Sequence, residues 1–172
     1  WSVNEKVAFE VAYGGSVGGK RSLAAMKHVG VNVASDALMT AAYTGINAGM
    51  VLVVADDPGM HSSQNEQDSR TWSRFGQIPL LEPSTSAEAK AFTKLAFQIS
   101  EEFDTVVLVR MSTRICHGKG IVELEDRIED PGKDYVKEPS KYVMIPGHAR
   151  GRHVVVKQRT AKLQEYVEKI AI

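Results

Sequence analysis

Met50 to Ala55 (MVLVVA) is an unbroken apolar run, rich in β-branched residues, that ends at Asp56, Asp57, Pro58 and Gly59. A strand with one wet face alternates apolar and polar residues, so a run without alternation is a strand covered on both faces, the habit of parallel sheets sandwiched by helices. Thr105 to Met111 (TVVLVRM) repeats the pattern. Between and before them, Glu5 to Tyr13 reads as a buried helix stopped by Gly14 and Gly15, and Arg21 to His28 (RSLAAMKH) as a strand. A helix follows through Ala34 to Tyr43, closed by Gly45. Ile78 to Leu81 is a short strand, and Ser84 to Phe103 is an amphipathic helix with Ser84 or Ser86 as its N-cap. These alternations predict an α/β domain: an open, mainly parallel sheet with helices on both faces.

From about Val122 the sequence turns to charges with Pro131, Gly132, Pro139, Pro146 and Gly147, so the α/β core is assigned to residues 1–120 and an extended connector with a terminal helix to 121–172. That helix, about Val154 to Ala171, carries Val155, Leu163, Val167 and Ile170 at helical spacing. With 43% hydrophobic residues among 172, the chain has the material for a core, which excludes disorder as a whole. Lys plus Arg and Asp plus Glu each number 21, so the basic excess that nucleic-acid binding requires is missing. The longest apolar stretch, Gly49 to Ala55, falls far short of the roughly 20 residues that cross a bilayer, and the chain reads as soluble. It starts at Trp1 with acidic residues close behind, unlike a signal or transit peptide, and reads as a piece of a longer protein. The single cysteine, Cys116, cannot form an internal disulfide, a thiolate-rich zinc site or an iron–sulfur centre.

In parallel sheets ligands gather at the carboxyl ends of strands. Lys27 and His28 follow Met26; Asp56 and Asp57 follow Val54 and lead into His61 to Arg70 (HSSQNEQDSR); Arg110, Ser112, Thr113, Arg114 and His117 follow Val109. Each alone reads as a solvated loop, but convergence on one edge marks a candidate site. Gly14 to Lys20 (GGSVGGK) has phosphate-loop spacing, yet Arg21 stands where Ser or Thr holds magnesium, and a helix precedes it where a strand is required. A glycine-rich helix end with close backbone packing is the better reading. Cys116 and His117 are adjacent and point apart, against a nucleophile pair, and no histidines stand at i, i+4, so no metal site is predicted. Glu5 opens the first helix after Asn4. It reads as a first-turn charge favoured by the helix N-terminus, or as an acid/base group whose proton a cofactor nitrogen can share.

The string WSVNEKVAFEVAYGGSVGGKRSLAAMKHVGVNVASDALMTAAYTG, with VLVVADDPGMHSSQNEQDSR downstream, resembles the α subunits of the indolepyruvate:ferredoxin oxidoreductase family. These are thiamine-diphosphate enzymes of anaerobic archaea and bacteria. The resemblance runs through residues 1 to about 120 and returns at Lys141 to His153 (KYVMIPGHARGRH). It implies oxidative decarboxylation of aryl pyruvates to aryl-acetyl-CoA in aromatic amino-acid catabolism, in the cytoplasm, with electrons passing through iron–sulfur clusters to ferredoxin. It also implies that this stretch holds the cofactor's aminopyrimidine ring. Glu5 aligns with the glutamate that hydrogen-bonds N1′ and stabilises the imino tautomer, whose nitrogen removes the thiazolium C2 proton. Glu10, five residues on and about 140° around the helix, is the alternative.

By the same resemblance Gly14, Gly15, Gly18 and Gly19 allow close packing near the cofactor, and Lys27 and His28 lie at the pocket edge. The HSSQNEQDSR loop serves the substrate side or a subunit interface. Arg70 and Arg74 are candidates for the 2-oxoacid carboxylate, which suits a bidentate guanidinium, and His117 is a third substrate-side candidate. Family members place a further strand and helix before the glutamate. The motif for magnesium and diphosphate and the cysteine sets for [4Fe-4S] clusters do not occur in this sequence. The implied molecule is a fragment that supplies the pyrimidine half-site and is inactive alone. Its implied partners are the remainder of the α subunit, a β subunit, ferredoxin, the 2-oxoacid and coenzyme A, in an oligomer; magnesium and clusters are held elsewhere. Another thiamine-diphosphate enzyme, such as a sulfopyruvate or phosphonopyruvate decarboxylase, is the alternative within enzymes, and a non-catalytic assembly domain is the alternative outside them.

Overall fold

The computed structural model describes residues 1–170. Four strands, β1 (Ser22–Lys27), β2 (Met50–Asp56), β3 (Leu80–Leu81) and β4 (Val107–Ser112), form one sheet in the order β1-β2-β4-β3 with every pairing parallel. The helices are α1 (Glu5–Val17), α2 (His28–Thr44), α3 (Arg70–Gly76), α4 (Ser86–Phe103), α5 (Thr113–His117), α6 (Pro139–Tyr142) and α7 (Pro146–Lys169). The open parallel α/β architecture expected from the two apolar runs is the one observed. Val51, Leu52, Val54, Val107, Leu108 and Val109 have no solvent exposure. Leu52, Val54 and Leu108 meet Phe9, Val31 and Leu38 on the face covered by α1 and α2, whereas Val51, Val107 and Val109 meet Ala96, Ile99 and Leu163 from α4 and α7. β1 is an edge strand buried on one face only: Ala24 and Met26 point into the core, and Leu23 and Ala25 point to solvent.

Local readings needed correction at the helix ends. α1 does not stop at Gly14 but runs to Val17, capped by Gly18. The extra turn is held by tertiary bonds: the buried Ser16 hydroxyl donates to the Ala48 carbonyl at 2.5 Å, and the Ser16 carbonyl accepts the Ala48 N–H at 3.0 Å. The N-cap of α4 is Thr85, between the two serines proposed; its hydroxyl accepts the Glu88 N–H at 3.1 Å, while the Glu88 carboxylate accepts the Ser84 N–H and hydroxyl at 2.8 Å. α7 begins at Pro146, with proline in the first turn where its missing N–H costs nothing. It buries Val156, Arg159 and Leu163, whereas Val167 is exposed; Ala171 lies outside the described residues.

Arg159 explains the docking of α7. Its guanidinium donates to the Ala42 carbonyl at 2.6 Å and the Asp104 carbonyl at 2.8 Å, and Arg152 donates to the Tyr43 carbonyl at 2.7 Å. These are the negative ends of α2 and α4, whose spare carbonyls attract cations. Burial lowers the Arg159 pKa to about 10. The connector from Gly118 to Glu138 has no helix or strand. It is tied back where the Lys133 N–H donates to the Gly19 carbonyl at 2.8 Å. No described helix is long and apolar enough to cross a membrane.

Candidate functional site

The parallel register brings Lys27, Asp56 and Ser112 to one edge, since Lys27 stands beside Ala55 and Asp56 beside Ser112. Most of the polar side chains there hold one loop. Asp57 accepts the Ser62 N–H at 2.8 Å, the Ser63 hydroxyl at 2.6 Å and the Thr113 hydroxyl at 2.9 Å. These bonds, the Ser63 hydroxyl foremost, hold its carboxyl well below the usual carboxylate range. Asp56 accepts the Ser69 N–H at 3.0 Å and the Arg110 guanidinium at 2.6 Å, a buried pair that Glu82 extends. Lys27 donates to the Ser62 carbonyl at 2.6 Å. His28 is fully buried at the start of α2, and its Nε2 meets the Asn65 carbonyl at 3.1 Å. A carbonyl only accepts, so Nε2 carries the proton; Nδ1 is buried without a partner. The HSSQNEQDSR segment is thus strapped over the edge by Lys27, His28, Asp56 and Asp57.

Glu5 is different. Asn4 caps α1 by accepting the Val7 N–H at 2.9 Å, which sets Glu5 in the first turn. The Glu5 carboxylate takes part in none of the hydrogen bonds or ion pairs formed among the described residues, and it lines a cavity of about 310 Å³ with Ala8, Ala25, Met26 and Lys27. Its side chain lies on Gly30 of α2, where an added Cβ would stand 2.5 Å from Cγ. Glu10, the alternative carboxylate, lies 3.9 Å from Lys6 on the solvent face. Trp1, Ser2, Val3 and Asn4 complete a lining of mixed polarity, and a carboxyl free of protein partners there can share a proton with the ring nitrogen of a flat heteroaromatic ligand. Among the described residues no group of three side chains is placed to hold a metal ion.

Of the other candidates, only Lys27 shares the Glu5 cavity. A Cβ on Gly14 would meet nothing within 4 Å, and the close approach occurs instead at Gly19 (φ 92°), where a Cβ would strike the Lys133 carbonyl. The phosphate-loop resemblance has no donors to offer: the N–H groups of Gly18, Gly19 and Lys20 are bonded to Gly14, Ser16 and Gly15, and the Lys20 ammonium to the Asp130 and Pro131 carbonyls. Arg70 is held in a fork by Asp68 at 2.7 to 3.0 Å, and Arg74 lines a separate cavity of about 540 Å³ with Leu80, Leu81, Leu163 and Tyr166. His117 is exposed at the end of α5. Desolvation raises the pKa of Cys116, which disfavours the thiolate. Gly30 and Asn65 escaped the sequence reading. The lone glycine inside an otherwise helical HVGVNVASDALMTAAYT was the available signal, because such a residue usually answers a packing demand.

No family model matches the chain. It is 46% identical over 168 residues to the indolepyruvate oxidoreductase subunit IorA of Archaeoglobus fulgidus, covering 96% of this chain and 27% of that protein. It is 49% identical over 154 residues to the protein of the same name from Methanothermobacter thermautotrophicus, covering 89% of this chain and 25% of that one. In fold it is similar to the 2-oxoglutarate:ferredoxin oxidoreductase of Magnetococcus marinus, with a TM-score of 0.71, 14% identity, and coverage of 96% of this chain and 36% of that one.

Proposed function

Because this chain belongs by sequence with the indolepyruvate oxidoreductase subunits IorA, of which it spans about a quarter, we propose that it forms the pyrimidine half-site of a thiamine-diphosphate-dependent 2-oxoacid:ferredoxin oxidoreductase. The observation that carries this reading is the uncommitted Glu5 carboxyl on a cavity of mixed lining at the carboxyl edge of the sheet. Thiamine diphosphate, held with its pyrimidine against Glu5, would supply the nucleophilic chemistry for decarboxylating a 2-oxoacid. Glu5 would share one proton with the pyrimidine N1′, as the acid towards the neutral ring and as the carboxylate towards the protonated one. Ala8 and Met26 offer apolar contact to the ring beside Asn4 and Lys27. Lys27 and His28 set the pocket rim by fixing the loop. Arg70, Arg74 and His117 are the candidates for orienting the substrate carboxylate. Magnesium, the diphosphate and the [4Fe-4S] clusters belong to other parts of the complex, as do the sites for coenzyme A and ferredoxin. Aryl pyruvates such as indolepyruvate are the substrates, and the complex works in the cytoplasm.

The test is indolepyruvate-dependent viologen reduction by the full α subunit with its β partner, with thiamine diphosphate, magnesium and coenzyme A. Glu5→Gln keeps the shape and removes the charge. A loss of about 10²-fold or more, the size of a positioned acid/base contribution, is expected. Equal activity removes Glu5 from the reaction. Aldehyde release without dye reduction points to a simple decarboxylase. The assembly reading has one specific observation in its favour, the solvent-facing Leu23 and Ala25 on β1, and it predicts that thiamine diphosphate leaves the melting temperature of the complex unchanged.

A further inference from the structure

We propose that Gly30 is a positioning residue for Glu5, and that its bare Cα is the seat on which the Glu5 side chain is held at the cavity. Part of this inference rests on the pyrimidine-site reading, and part of it stands independently. An ideal Cβ on Gly30 would come within 2.5 Å of Glu5 Cγ, 3.0 Å of Cδ and 3.1 Å of Oε1. A distance of 2.5 Å is one that real Cβ contacts do not reach, so any side chain at position 30 moves Glu5. Glu5 itself is fixed from behind. It is the first residue of α1, whose start is set by the Asn4 cap, and Phe9 one turn later is fully buried, so α1 is anchored on both sides of Glu5.

The seat has a chemical consequence. α2 begins at His28, so Gly30 belongs to its first turn, where backbone N–H groups have no helical partner and the helix end carries partial positive charge. Contact with Gly30 therefore places the Glu5 carboxyl beside the first turn of α2. Glycine is an unfavourable residue within a helix, and it is the only glycine in α2. Its presence is accounted for by the contact it permits.

The experiment is a double-mutant cycle in the intact α subunit with its partner, made of wild type, Gly30→Ala, Glu5→Ala and the double variant. Two quantities are read: the melting temperature of the cofactor-free complex, and the affinity for thiamine diphosphate with magnesium by calorimetric titration. In the cofactor-free complex Gly30→Ala lowers the melting temperature when Glu5 is present. In the Glu5→Ala background it raises it, because the collision is gone and alanine is the better helix former. This reversal of sign tests the seat without any cofactor; a shift of the same sign in both backgrounds overturns it. For binding, Gly30→Ala weakens affinity roughly tenfold to a hundredfold, the span of one charge-assisted hydrogen bond, and has no further effect once Glu5 is alanine. Multiplying effects of the two substitutions overturn action through Glu5. Wild type that binds no thiamine diphosphate, together with an intact sign reversal, overturns the half-site reading and the positioning role but leaves the contact itself.

Discussion

The Asp104 carboxylate occupies the space in which a side chain at Gly45 would begin, since a Cβ there would stand 2.4 Å from Oδ1 and 2.6 Å from Cγ. Gly45 closes α2 with φ +74° and Asp104 closes α4 with φ 52°, so two helix ends interlock at one point. The carboxylate also accepts the Ile46 N–H at 2.8 Å, the Lys141 ammonium at 2.9 Å and the Arg152 guanidinium at 3.0 Å, joining α6 and α7 to the core. Gly45→Ala is expected to destabilise the subunit by roughly 1 to 3 kcal/mol from backbone strain alone. Asp104→Ala is expected to cost about 2 kcal/mol through its orphaned partners. Chemical denaturation measures both, and an unchanged midpoint in either variant contradicts the interlock.

Tyr13 gives the fold an alkaline limit. Burial, more than any neighbour, pushes its phenol up to about 12, and the hydroxyl sits 2.5 Å from the Thr44 hydroxyl and 2.8 Å from the Gly45 carbonyl. An acid whose folded pKa exceeds its unfolded value near 10 binds more protons in the folded state between those values. Its contribution is therefore complete below about pH 10 and is lost as pH rises towards 12, by about 2 to 3 kcal/mol. Tyr13→Phe should remove this slope, and stability curves of the two proteins from pH 9 to 12 check it.

Asp57 sets the acid limit of the loop. Its folded pKa is depressed by the bonds from Ser63, Ser62, Thr113 and His61, so the stabilisation is fully present above the unfolded value near 3.9 and is lost as pH falls below it. Asp57→Asn should mimic acid at neutral pH by loosening residues 61–63. Hydrogen exchange at the Ser62 amide is the readout: faster exchange in the variant is expected, and equal exchange contradicts the strap.

Arg70 is paired with Asp68, whereas Arg74 lines the cavity beside α7. Arg70→Met is expected to raise KM for the 2-oxoacid about tenfold, the worth of one charge-assisted bond, with kcat little changed. The same loss in Arg74→Met alone would transfer the role to the cavity beside α7.

The sheet was legible because buried parallel strands announce themselves: MVLVVA and TVVLVRM have no polar alternation and lie where the sequence placed them. The ends of α1 and α7 were not, because tertiary bonds decide them. Ser16 carries α1 past two glycines, and Arg159, a residue that reads as polar surface, is the anchor of α7. Within the site, Glu5 was visible as a carboxylate at a helix start. The strand-end aspartates looked equally reactive, but they are taken up by Ser62, Ser63 and Ser69 of the loop that follows them and by Thr113 after β4. Which carboxylate is left free is a property of three-dimensional satisfaction of hydrogen bonds and cannot be read from spacing.

The central claim is that Glu5, and not Glu10, is the carboxyl that shares a proton with the pyrimidine N1′. Titration of thiamine diphosphate with magnesium into the intact complex tests it most directly, using wild type, Glu5→Gln and Glu10→Gln. Wild type and Glu10→Gln are predicted to bind alike, with Glu5→Gln weaker by roughly tenfold or more. Binding by Glu5→Gln as tight as wild type contradicts the account.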